Sequence, residues 1–133
     1  MLKKYTLYLV ALSALINAGC ITFTPEFQLD EIEKIELLKI GLGEVVQRKE
    51  LEKQFYLNFY KALNSAKYQG TTKMFTCYRI QVQTRNGQIL TFRTNGHQFF
   101  SPHDDTLYEF RGDENIAEKY WAIKPDCSDL SNK

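Results

Sequence analysis

The sequence predicts an α+β domain, a small antiparallel sheet packed against one main helix in the order β-α-β-β-β-α. Three observations lead there. Leu51, Phe55, Phe59 and Leu63 recur at steps of four through a stretch without Gly or Pro, the stripe of an amphipathic helix. Tyr78, Ile80 and Val82 alternate with Arg79, Gln81 and Gln83, the period of a half-buried strand. Asn86-Gly87 then supplies a turn between two such runs. Hydrophobic residues fill 44% of the 133 positions and aromatics 14%, enough to bury a core, so disorder is excluded as a description of the whole chain.

Taken in order, residues 20–30 contain Pro25 and no clear periodicity. They read as a tether leading into a single globular domain over 31–127, with a polar tail over 128–133. Residues 32–42 fit two patterns: Ile32, Ile35, Leu38 and Leu42 suit a helix, whereas Ile35, Leu37 and the β-rich run to Ile40 suit a strand ended by Gly41 and Gly43. The strand is narrowly the better reading. Residues 48–66 form the main helix, with Ala62 and Ala66 beside its stripe and Tyr56 and Tyr60 widening it.

Strand 74–84 meets its partner at Asn86-Gly87, and the register can be argued. A two-residue turn sets Val82 against Thr91 and Gln81 against Phe92, which mixes the faces. A three-residue loop, Arg85-Asn86-Gly87, with Gly87 left-handed, pairs Val82 with Leu90 and Ile80 with Phe92 and keeps each face uniform. The bulged hairpin is therefore expected. Residues 106–110 read as a further short strand. Asp113 is the expected N-cap of a terminal helix over 114–123 that buries Ile116 and Tyr120, and Pro125 stops it.

The N-terminus carries a separate signal. Lys3 and Lys4 precede an uncharged apolar run over 5–16, and Asn17-Ala18-Gly19-Cys20 follows. A helix of that length reaches about 18 Å, short of the ~30 Å hydrocarbon core, so a permanent span is not expected. The segment resembles a bacterial lipoprotein signal peptide, whose lipobox sets Ala-Gly immediately before the modified cysteine, here Ala18-Gly19-Cys20. The resemblance implies removal of residues 1–19, a diacylglycerol on the Cys20 sulfur and an acylated amino group. That covalent lipid is the only prosthetic group expected. Anchoring by two or three acyl chains would be stable. Ile21 follows the cysteine where Asp commonly retains such proteins at the inner membrane, which implies the outer membrane, facing the periplasm.

If Cys20 carries lipid, Cys77 and Cys127 remain as a pair that an oxidising compartment favours joining. Two separate thiols are the alternative. The 17 basic residues against 16 acidic ones include Lys3 and Lys4, and without those two no basic excess remains to hold a phosphate backbone, so nucleic acid is not an expected partner.

Candidate sites are sparse. His97, His103, Asp104 and Asp105 share one stretch between expected strands, and two imidazoles plus a carboxylate suit zinc or acid–base work. Ser-Pro-His-Asp-Asp is equally ordinary turn chemistry. Phe99 and Phe100, followed by Tyr108 and Phe110, form either an exposed recognition patch or the end of the core. No serine sits in a nucleophile-elbow context. The leading expectation is a non-catalytic, lipid-anchored envelope protein that binds a macromolecular partner, as an assembly accessory or an immunity- or inhibitor-type lipoprotein. The alternative is a small-ligand or cell-wall-binding module with a concave sheet face lined by Tyr78 and Phe92. A metal-dependent enzyme at residues 97–105 stands third.

Overall fold

The computed structural model describes residues 21–71 and 73–124. Cys20, Cys127, the signal segment and the polar tail lie outside them. The described residues form seven strands and two α-helices: β1 (Ile32–Gly41), β2 (Glu44–Glu50), α1 (Tyr56–Asn64), β3 (Lys67–Gly70), β4 (Tyr78–Thr84), β5 (Ile89–Thr94), β6 (Gln98–Phe100), β7 (Leu107–Glu109) and α2 (Ile116–Trp121). The strands make one sheet in the order β2-β1-β4-β5-β6-β7-β3, and its pairings are antiparallel.

This corrects the expected fold class. A small sheet against one main helix, in the order β-α-β-β-β-α, gives way to a seven-stranded sheet that carries one nine-residue helix and one shorter one. The largest error falls at residues 44–50, read in part as helix. Leu42 and Gly43 both take positive φ and form a two-residue turn between Gly41 and Glu44, which lays β2 back along β1. Backbone pairing with β1 then outweighs the helical pattern, whose periodic signal survives only from Phe55 onward. Two short strands, β3 and β6, were also missed; three or four residues show no period to read.

The β4–β5 hairpin does follow its argued register. Val82 faces Leu90 and Ile80 faces Phe92. Gly87 sits at φ 89°, and its N–H donates to the Thr84 carbonyl at 2.9 Å. Strand β1 likewise occupies the segment for which a strand was favoured.

One sheet face forms the core. Ile35, Leu37, Tyr78, Ile80, Val82, Leu90, Phe92 and Phe99 point to it, and α1 (Phe59, Leu63) and α2 (Ile116, Ala117, Trp121) close over them. Phe59 meets Trp121 edge-on with ring centroids 5.6 Å apart. Each such fully buried side chain contributes roughly 1.5–3 kcal/mol of transfer free energy. The terminal helix is capped by Asn115, not Asp113: its side chain accepts from the N–H groups of Ala117 and Glu118. Ile116 is buried as expected, but Trp121, rather than Tyr120, is the other large buried residue of α2.

The expected tether also needs correction. Phe23 and Phe27 are buried in the core, and Thr22 bridges to Lys67 at the outer side of β3. Phe23 packs edge-on against Phe92, Phe99 and Tyr108. Residues from Thr22 onward are thus part of the domain. Proline and the lack of a period marked an irregular path, not a free one.

Candidate functional site

The sequence-predicted aromatic patch is not a surface. Phe99, Phe100 and Phe110 are buried and Tyr108 is half-buried. Phe99 stacks on Tyr108 at 5.6 Å and meets Phe110 at 4.8 Å. Hydrophobic burial claims these rings: Phe99 and Phe110 join the main core with Tyr108 packed against it, and Phe100 lies beneath the Arg93 guanidinium. The concave face expected to hold a ligand at Tyr78 and Phe92 is likewise filled, since the helices cover it.

The histidine loop is divided. His97 lines a depression beside Glu114 and Glu118, whereas His103 and Asp105 border another on the outer sheet face. His103 Nε2 lies 2.7 Å from Glu26 Oε2, and Asp105 accepts from Arg93 at 2.7 Å. Asp104 accepts from the Thr106 N–H at 3.0 Å, an Asx turn. The Thr106 hydroxyl and this N–H hold its carboxyl below the usual carboxylate range. Among the described residues, no group of three or more His, Cys, Asp or Glu side chains is placed to hold a metal ion. Cys77 is disulfide-bonded, and its partner lies outside the described residues.

Two features that sequence reasoning did not single out stand on the surface instead. The first is an unpaired sheet edge. The two edges differ: β3 is covered by the N-terminal segment, where the Tyr68 N–H donates to the Ile21 carbonyl and the Phe23 N–H to the Ala66 carbonyl. Strand β2, at the other edge, is exposed over all seven residues. Its register slips by one between Lys39–Gln47 and Ile40–Val45, so Val46 is the extra residue of a bulge. At the tip, Leu42 is 72% exposed at φ 54°, a conformation that strains a residue bearing a Cβ. Val45 and Val46 are exposed beside it. Gly41 and Gly43 mark the end of a strand in the sequence, but not that a second strand returns from it.

The second feature is the outer face of the sheet, which neither helix covers. Cross-strand pairs place Arg79 opposite Arg93 and Gln81 opposite Thr91. With the loop from Ser101 to Asp105 they line an open groove of about 440 Å³. Arg93 is fixed twice, by Asp105 and by the Phe100 ring, whose centroid lies 4.6 Å from its guanidinium carbon. The hairpin register already implied the Arg79–Arg93 juxtaposition; that both point away from the helices required the tertiary structure.

No helix among the described residues is long and apolar enough to cross a membrane. No family model, no curated protein and no solved structure matches the chain.

Proposed function

We propose that the chain is a lipid-anchored bacterial cell-envelope protein whose domain binds a protein partner through the free β2 edge, as an assembly accessory or an immunity- or inhibitor-type lipoprotein does. The observation that carries the partner reading is the asymmetry of the sheet. One edge is covered by the chain's own N-terminal segment, and the other presents seven exposed residues with unpaired backbone groups. Such an edge accepts an added strand, with main-chain hydrogen bonds supplying affinity and neighbouring side chains supplying selectivity. The charged run Arg48-Lys49-Glu50 and the bulge at Val46 discourage indiscriminate pairing, which favours one partner over self-association. A strained, exposed leucine at the hairpin tip is the kind of local cost that persists where contact is made.

The anchor reading rests on the lipobox-like Ala18-Gly19-Cys20 and on geometry that suits it. Ile21 meets the sheet beside β3, so a lipid on Cys20 would hold the domain by one edge and leave β2 at the far end of the strand order. No cofactor, metal or nucleic acid enters this reading. To test it, a photo-crosslinking amino acid is placed in cells at Val46 on β2 or at Ile89, exposed on β5. One discrete adduct from position 46, absent from 89 and lost on Leu42→Lys/Val45→Lys, is the expected result. Equal or no adducts from both positions defeat the edge reading. Intact mass of the membrane-extracted protein tests the anchor separately: a species beginning at Cys20 with acyl mass is expected, and an unacylated chain that retains residues 1–19 rejects it.

A further inference from the structure

We propose that the outer-face groove is a carboxylate-binding site in which Arg79 and Arg93 hold the anion between them. The site is independent of the β2 edge. Arg79 and Arg93 stand directly opposite each other on adjacent antiparallel strands, with Cβ atoms that such pairing sets about 5 Å apart. Like charges in that position repel, and a shared anion removes the penalty. The two arginines are not equivalent. Arg93 lies over the Phe100 ring, a contact that it keeps when a ligand replaces Asp105, so less freedom remains to be lost on binding. Arg79 is exposed and has no ion pair among the described residues.

The groove already shows which anion it takes. The group on Arg93 is a carboxylate from the protein's own loop, and the Asp105 side chain is 86% exposed, so water or a ligand can replace it. The opposite wall decides between oxyanions. Asp104 and Asp105 both border the groove, and aspartates are ionised at neutral pH. A doubly charged phosphate would be repelled by these two carboxylates about twice as strongly as a singly charged carboxylate, whose neutral or cationic remainder can face them instead. Gln81 and Thr91, the next pair along the same face, offer an amide and a hydroxyl to that remainder. The ligand class is a small carboxylic acid or the C-terminal carboxylate of a peptide. Either uses the same fork of guanidinium donors.

The test is titration of the chain from residue 20 onward, disulfide intact, followed by NMR of the arginine side chains. The probes are N-acetylalanine, trialanine with a free C-terminus, trialanine amide and inorganic phosphate. Free carboxylates are expected to shift the Arg79 and Arg93 signals, with the amide at least tenfold weaker. Arg79→Gln should weaken binding tenfold or more and Arg79→Lys by less, with melting temperature unchanged. Asp105→Asn should tighten it severalfold by removing the internal competitor. Arg48→Gln, on the same face but paired with Glu36 at 3.1 Å, should leave it unaltered. Trialanine binding above N-acetylalanine assigns a peptide terminus, and equal binding assigns a small acid. Equal binding of amide and acid, tighter binding of phosphate, an Asp105→Asn variant that binds no better, or no response from any probe overturns the proposal.

Discussion

At the residue scale, the Asn115 side chain both accepts and donates. It accepts from the N–H of Ala117 at 2.9 Å and donates to the Asn95 carbonyl at 3.2 Å, tying α2 to the turn before β6. Gly96, at φ 95°, lies so close that any Cβ there would collide with the Asn115 side chain. Gly96→Ala is therefore expected to cost about 2 kcal/mol or more, from overpacking plus left-handed strain. Asn115→Ala should cost about 1–2 kcal/mol, whereas Asn115→Asp keeps the cap and loses less. Urea unfolding of the three variants checks the order. Leu42 gives the opposite sign: Leu42→Asn relieves positive-φ strain and should gain up to about 1 kcal/mol in the same assay while weakening partner contact. A loss of stability would mean that Leu42 packs in a way its exposure conceals.

Asp104 supplies the pH dependence of its loop. Its folded carboxyl titrates below the usual range because the Thr106 hydroxyl and N–H bond the carboxylate. A depressed folded value means that the contribution to loop order is present above the unfolded carboxyl's range and is lost as the pH falls through the lower folded value. An NMR titration of the Thr106 amide should report that low midpoint, and Thr106→Val should raise it. An unchanged midpoint in the valine variant would assign the shift to the backbone bond alone.

At the scale of elements, the core is divided unequally between helices and sheet. Phe59 is fully buried and meets both Tyr120 and Trp121, so α1 and α2 are held to each other through it. Phe59→Ala is expected to cost about 3–5 kcal/mol, while Leu57→Ala, two positions away and exposed, stays within about 0.5 kcal/mol. Thermal unfolding separates the two readily. The N-terminal segment behaves as an element too. A chain beginning at Ile21 should fold, and one beginning at Asp30 should lose several kcal/mol with the burial of Phe23 and Phe27. Equal stability of the two chains would return residues 21–29 to the role of a tether.

The element scale also shows what was legible. Alternation from Tyr78 to Val82 and the face-consistency of the hairpin led to the observed register, because period two leaves little latitude once one face is buried. The same logic failed for residues 44–50: an edge strand exposed throughout needs no alternation, so its sequence is free to look helical. Of the candidate residues, His97, His103 and Asp105 were close in sequence but are parted by β6, and Phe99, Phe100 and Phe110 were drawn into the interior. The surface features now proposed rest on residues whose importance lies in which edge or face they occupy.

At the scale of the whole molecule, the disulfide at Cys77 ties the sheet to a residue outside the described ones. Cys77 is bonded, and the hydroxyl of the next residue, Tyr78, donates to the Lys124 carbonyl at 2.9 Å, which sets Lys124 about one tyrosine side chain away from that part of the sheet. Three residues span at most about 10 Å, so Cys127 is within reach. Ile21, next to Cys20, instead meets β3 at the opposite edge of the strand order from β1 and β4. We propose the Cys77–Cys127 pairing on that basis. Peptide mapping without reductant should recover the two as one linked species, and Cys127→Ser should cost up to about 4 kcal/mol in the chain-entropy account. A Cys20–Cys77 peptide would overturn both the pairing and the lipid anchor.

What the sequence determined by itself is local. The bulged hairpin and the apolar stripe of α1 follow from residues within a dozen positions of one another, where spacing and turn chemistry act directly. What only the tertiary structure decided is non-local: that β2 folds back to an open edge, that β3 is sealed by Thr22, that a supposed tether fills the core, and that Arg79 and Arg93 share an uncovered face. Pairing of distant backbone and competition for one buried face set those outcomes. Neither leaves a period in the chain from which it can be read.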